Sequence, residues 1–182
     1  MRPPDCSLLL TTVVLPTLLL CSCSSTGGSD RLLVETDGPR YGAVSGASST
    51  SLPIKRADGI AELFVPVQIG TSSGWWQIDT GAALSVVNSR IATYEGFAIR
   101  EAGEILTPAG TADANVGVVP SVRLGSITIR EVTVLSLDDR YSNDFQIDGR
   151  SGSVIGILGS DLLDHLGATI DYRSNRLYLR AP

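Results

Sequence analysis

From Leu63 onward the chain alternates. Leu63, Val65, Val67 and Ile69 interleave with Glu62, Phe64, Pro66 and Gln68, and the run ends at Gly70-Thr71. A hydrophobic period of two specifies an extended strand with one face buried and is incompatible with a helix. Ser72-Ser73-Gly74 then predicts a turn, and Trp75 to Ile78 a second strand that runs directly into Asp79-Thr80-Gly81-Ala82. Leu84 to Asn88 reads as a further short extended piece, and Ser89 to Phe97 as a helical turn. Glu104 to Thr107 and Ala112 to Leu124 predict two strands joined by Pro108-Ala109-Gly110-Thr111, and Ile127 to Leu137 alternates again. Asp138 to Ser153 is polar, carries Gly149 and Gly152, and predicts a surface loop. Val154 to Leu158 is continuously apolar, as for a strand buried on both faces.

One short helix is expected near the end, from Ser160 to Leu166. Ser160 is its expected N-cap, Asp161 sits at its positive end and Gly167 stops it. Ala168 to Tyr172 and Leu177 to Arg180 predict a closing hairpin around Arg173-Ser174-Asn175. Many short strands with glycine-rich turns argue for a mainly β chain folded into a small closed barrel.

Composition narrows the chemistry. Fourteen basic residues face nineteen acidic ones, for a net charge of −5, and the basic residues are scattered. That argues against a nucleic-acid partner, which needs a basic face. His165 is the one histidine and Lys55 the one lysine. A multi-histidine metal site and a phosphate-binding lysine loop are therefore excluded, and carboxylates are the abundant reactive groups.

The first residues read as a leader. Arg2 precedes an apolar run from Leu8 to Leu20, too short to span a bilayer but suited to a signal peptide. Leu20-Cys21-Ser22-Cys23 follows and resembles a bacterial lipobox, with Cys23 the residue to be lipidated. An ordinary secretory signal with incidental cysteines is the alternative. The expected organisation is a signal peptide over 1–22, a flexible tether and arm over 23–60, and one domain over 61–182. Cleavage would remove Cys6 and Cys21 and acylate Cys23, leaving no disulfide partner. The expected location is the cell envelope, anchored to a membrane and facing the periplasm. Ser24 lacks the aspartate that favours inner-membrane retention, and which membrane holds the chain stays open.

Asp79-Thr80-Gly81 carries the most chemistry. An apolar strand delivers it, Ala82 follows, Ser85-Val86-Val87 comes next, and Ile157-Leu158-Gly159 stands much later, just before the expected helix. As a set, and over about Leu63 to Leu179, these residues resemble the retropepsin-like aspartic proteases, in particular bacterial single-domain exported members. Gly156-Ile157-Leu158-Gly159-Ser160-Asp161-Leu162-Leu163 and the closing hairpin belong to the same resemblance. It implies that Asp79 is the catalytic aspartate, with Thr80 and Gly81 beside it. It implies that Ala82 and the flap residues Pro108, Ala109, Gly110 and Thr111 meet substrate. Ile157, Leu158 and Gly159 would support the catalytic loop from beneath. The implied substrate is a protein or peptide, with no metal and no cofactor.

Such a protease holds water between two carboxylates, one ionised and one protonated. Two carboxylates about 3 Å apart cannot both lose their proton, so the pair titrates as a unit. Thr80 would brace both loops by hydrogen bonding, and Gly81 would let its N–H reach the carboxylate. The chain holds one Asp-Thr-Gly and no second copy or Asp-Ser-Gly variant. If Asp79 is half of a dyad, its twin belongs to a second subunit, and a homodimer is the expected active form.

Other readings compete. Asp79 alone would suit an Asx-turn at a strand end, and Pro108 to Thr111 a plain hairpin. Of Trp75 and Trp76, adjacent on a strand, one is expected in the core and the other at the surface. Asp161 and Asp171 are read as a helix-dipole partner and a hairpin residue, and His165 as a helix-end surface residue. Asp138, Asp139, Asp144 and Asp148 do not follow the EF-hand pattern. A catalytically inactive lipoprotein that keeps the fold as a binding or dimerisation module is the main functional alternative, and a structural envelope protein a weaker one.

Overall fold

The computed structural model describes residues 39–57, 61–107, 110–137, 144–147 and 150–182. The expected signal peptide, Cys23, most of the tether, and Pro108 and Ala109 of the flap lie outside them. The strands are β1 (Val44–Gly46), β2 (Ser49–Pro53), β3 (Lys55–Arg56), β4 (Leu63–Ile69), β5 (Ser72–Ile78), β6 (Val86–Asn88), β7 (Ile99–Thr107), β8 (Gly110–Leu124), β9 (Ile127–Leu137), β10 (Asp144–Ile147), β11 (Arg150–Leu158), β12 (Thr169–Asp171) and β13 (Arg176–Arg180). Two short helices, α1 (Ser89–Tyr94) and α2 (Ser160–His165), complete the described elements.

The fold is mainly β and closes on itself. Strand β9 pairs with β6, β6 with β11, β11 with β5, β5 with β4, β4 with β8, and β8 again with β9. This ring of six strands leaves no open edge along its circuit. Pro66 of β4 sits between the residues that pair with β3 (Leu63, Phe64) and those that pair with β8 (Gln68, Ile69). A proline lacks the N–H a ladder needs, and this gap is where its absence breaks no pairing on that side.

The apolar alternation is satisfied by one main core. Val65, Ile69, Trp76, Val119, Val122, Leu124, Ile127, Ile129, Val132, Leu158, Leu162 and Leu166 are fully buried there. Trp76 is the core tryptophan, while its neighbour Trp75 is half-buried against Phe64 and Val154. A second cluster joins Ala82, Val86 and Ile157 to Ile105 and Ala114 of the β7–β8 hairpin and to Leu135 and Leu137. It packs the loop after β5 against the β7–β8 hairpin. In β11, Val154, Ile155, Ile157 and Leu158 are all buried, as a strand flanked on both sides demands.

Four expectations need correction. The turn after β4 is Gly70-Thr71, with Gly70 at φ +55°, and Ser72-Ser73-Gly74 belongs to β5. Glu95 explains the shift: its carboxylate accepts from the Thr71 N–H and from the Thr71 and Ser72 hydroxyls, and so clasps the turn. The arm before residue 60 is paired strand in its later part, since β1 joins β9, β2 joins β13 and β3 joins β4. The expected loop at 138–153 contains a β10–β11 hairpin, with Asp144 opposite Ser153. Finally, Gly159 caps α2 and Ser160 makes no side-chain cap bond; its hydroxyl donates to the Ala82 carbonyl instead.

Candidate active site

Asp79 follows β5 directly and continues its ladder for one residue. Its N–H donates to the Leu158 carbonyl at 3.0 Å, and its own carbonyl accepts from the Ala82 N–H at 3.2 Å. The second bond closes a tight turn over Asp79-Thr80-Gly81-Ala82. Within that turn the Gly81 N–H donates to Asp79 Oδ1 at 2.9 Å. One carboxylate oxygen thus fixes the loop, as in an Asx-turn. The other is different. Asp79 is 9% exposed, and its Oδ2 is buried without a hydrogen-bond partner.

An unpaired buried polar atom costs about 1–3 kcal/mol, so this oxygen is held at a cost to the fold. Burial pushes the Asp79 carboxyl above the usual carboxylate range, while the N–H groups of Gly81 and Ala82 pull it back down. A raised carboxyl keeps its proton to a higher pH than a free one does.

The loop is stitched to a second loop at the end of β11. The Ser160 N–H and hydroxyl both donate to the Ala82 carbonyl, at 2.8 and 2.9 Å. The Gly159 N–H donates to Ser85 Oγ at 3.0 Å, and Ser85 Oγ donates to Asp161 Oδ1 at 2.7 Å. Gly159 is required by space. A Cβ there would stand 2.7 Å from the Leu84 carbonyl carbon and 2.8 Å from the Ser85 nitrogen. Leu158 is fully buried beneath, and Ile157 packs with Ala82 in the second cluster. Gly156 is equally constrained, since a Cβ would fall 2.1 Å from the Val86 carbonyl oxygen.

The structure therefore brings Asp79, Thr80, Gly81 and Ala82 together with Ile157, Leu158 and Gly159. Thr80 is exposed and Ala82 fully buried. Thr111 and Gly110 are exposed at the far end of the β7–β8 hairpin, where Thr107 pairs with Gly110. Between its tip and the Ile105–Ala114 base the hairpin carries Leu106, 56% exposed. Ser85 was only context in the motif, yet it holds both loops. A lone serine between Leu84 and Val86, six positions after the aspartate, was the available signal. Asp161 is more than a dipole partner, because it accepts the Ser85 bond. His165 is half-buried under the Tyr41 ring and is no free surface residue. Among the described residues no group of three or more His, Cys, Asp or Glu side chains stands close enough to hold a metal ion.

A family model described as aspartyl protease matches residues 65–162, more than half of the chain. No curated protein matches the sequence. Solved structures with some likeness include a retropepsin-like aspartic protease from Rickettsia conorii, at 16% identity and TM-score 0.48, covering 78% of this chain and 94% of that one. Another is the retroviral protease-like domain of Ddi1 from Leishmania major, at 19% identity and TM-score 0.43, covering 66% of this chain and 89% of that one. With its Asp-Thr-Gly directly after β5 and its match over residues 65–162, the chain belongs to the aspartyl protease family.

Proposed function

We propose that the protein is an aspartic endopeptidase that cuts peptide bonds with a pair of Asp79 side chains, one from each subunit of a homodimer. The observation that carries this reading is the buried, unpartnered Asp79 Oδ2 beside an oxygen that is already committed to its own loop. Oδ2 is covered within one chain, so pairing with the same atom of a second copy across a twofold axis next to this loop requires the carboxyl to be uncovered on association. The two carboxyls would then share one proton, and the raised Asp79 pKa favours holding it.

In this mechanism the ionised carboxylate takes a proton from the bound water. The water oxygen forms a bond to the scissile carbonyl carbon, and the protonated partner gives its proton to the carbonyl oxygen. Collapse of the tetrahedral species breaks the C–N bond, and the leaving nitrogen regains a proton from the dyad. Thr80 braces the paired loops. The exposed end of the β7–β8 hairpin, at Gly110 and Thr111, lines the substrate, whereas Ala82, expected to meet it, is fully buried and supports the loop from within. The reading extends to an exported chain anchored through lipidated Cys23, which would confine subunits to one surface and favour their association.

The test is cleavage of a peptide library by the purified dimer, with Asp79→Asn alongside. Loss of cleavage in the variant is expected, and equal cleavage would reject the mechanism. A dimer that cuts nothing but captures a partner equally well with Asp79→Asn would identify a binding module. Incorporation of radiolabelled fatty acid into wild type but not Cys23→Ala tests the anchor.

A further inference from the structure

A polar cluster outside the carboxylate site joins the N-terminal segment to α2. Residues 40–43 run beside β9: the Thr133 N–H donates to the Arg40 carbonyl at 3.0 Å, the Gly42 N–H to the Arg130 carbonyl at 2.8 Å, and the Arg130 N–H to the Ala43 carbonyl at 3.1 Å. This backbone anchoring fixes Tyr41 against the main core. Its ring stacks on His165, with centroids 4.2 Å apart and planes 27° from parallel. The Tyr41 hydroxyl and Asp161 Oδ2 are both buried, and neither has a hydrogen-bond partner within bonding distance.

The two groups nonetheless feel each other. Burial, then the charge of Asp161 and its hydrogen-bonding approach, and then Asp164, hold the Tyr41 phenol above its ordinary range. A hydrogen bond from the Tyr41 hydroxyl to Asp161 Oδ2 would satisfy two buried oxygens at once, each costly when left bare. The remaining oxygen, Asp161 Oδ1, accepts from Ser85 Oγ, which accepts from the Gly159 N–H. Gly159 follows Leu158, whose carbonyl holds the Asp79 N–H.

We infer that Tyr41 is a positioning residue for the catalytic loop, its hydroxyl donating to Asp161 so that the Asp161–Ser85–Gly159 chain holds Asp79 in place. The N-terminal segment is then a working part of the active unit. As a statement about catalysis this rests on the proposed function; as a statement about the loop it does not.

Tyr41→Phe removes the hydroxyl and keeps the ring. Tyr94→Phe, at a residue 78% exposed, is the control. Amide exchange is followed by NMR on the full mature chain. In Tyr41→Phe the Gly159 amide should exchange about five- to tenfold faster, the factor one hydrogen bond is worth. Val65 in β4 should be unaffected, and Tyr94→Phe should match wild type. Peptide cleavage should show kcat lowered by a similar factor with KM within about twofold. Unchanged Gly159 exchange, or an unchanged kcat in a wild type that does cleave, overturns the inference. A wild type that cuts nothing, while Gly159 still responds to Tyr41→Phe, supports the positioning role and defeats the proposed activity instead.

Discussion

The backbone N–H of Asp79 donates to the carbonyl of Leu158 at 3.0 Å, which joins two loops far apart in sequence. The bond extends the parallel pairing of β5 with β11, whose last register pair is Leu158 with Ile78. The Asp79 backbone is therefore positioned by the sheet itself. Loops on a rigid scaffold hold a constellation more closely than loops alone.

Asp79→Asn should abolish the dyad and lower cleavage by at least about 10²–10⁴-fold, the range general acid–base groups supply. It should also change stability with a definite sign. The folded Asp79 pKa lies above its unfolded value, so the native state holds the proton more tightly. This group's contribution is greatest below the unfolded pKa and falls as pH rises through the folded one. The asparagine variant should accordingly melt higher than wild type near neutral pH, and the gap should close below about pH 4. Thermal melts across that range check it.

Gly159→Ala should destabilise the protein by about 3 kcal/mol, the upper end for overpacking, because the new Cβ meets backbone atoms of Leu84 and Ser85 that cannot move aside independently. Urea unfolding of the variant measures this. Cleavage should fall even where the variant is fully folded, since the displaced backbone carries Asp79.

Ser85→Ala leaves the Gly159 N–H and Asp161 Oδ1 without their shared partner in a buried place. A loss of about 2–3 kcal/mol is expected, the cost of stranding buried polar groups, one of them charged. Unfolding midpoints at matched protein concentration give the value.

Sequence patterning exposed most of the barrel. The alternations at Leu63–Ile69 and Ile127–Leu137 became β4 and β9 because one face of each strand had to be buried, and a period of two encodes that directly. The Asp79 turn was readable because an Asx-turn depends on local residue types, whereas its support by Ile157-Leu158-Gly159 is a long-range contact that only the family resemblance implied. What failed depended on distant partners. Ser72-Ser73-Gly74 looks like a turn until Glu95, from the end of α1, clasps Thr71 and Ser72. Ser160 looks like a helix cap until the Ala82 carbonyl takes its hydroxyl. Residues 44–56 are polar and glycine-containing, so their pairing with β9, β13 and β4 left no hydrophobic pattern to read.

Glu95 gives a second pH test. Hydrogen bonding from the Ser72 hydroxyl, opposed by burial and helped by Thr71, holds its carboxyl below the ordinary value. That contribution is present above the unfolded pKa and is lost as pH falls through the folded one. Glu95→Gln should lower the melting temperature at neutral pH by an amount worth under about 1 kcal/mol, since the group is open to solvent. The difference should shrink in acid, as melts at a series of pH values would record.

The central claim is that two copies of Asp79 act as one reactive pair. Wild-type and Asp79→Asn chains, unfolded together, mixed in equal amounts and refolded, test it most directly through the cleavage rate per total chain. If both aspartates of a dimer are required, only wild-type pairs work, and about a quarter of the all-wild-type rate should remain. Retention of half the rate would mean that each Asp79 acts alone, and would contradict the account.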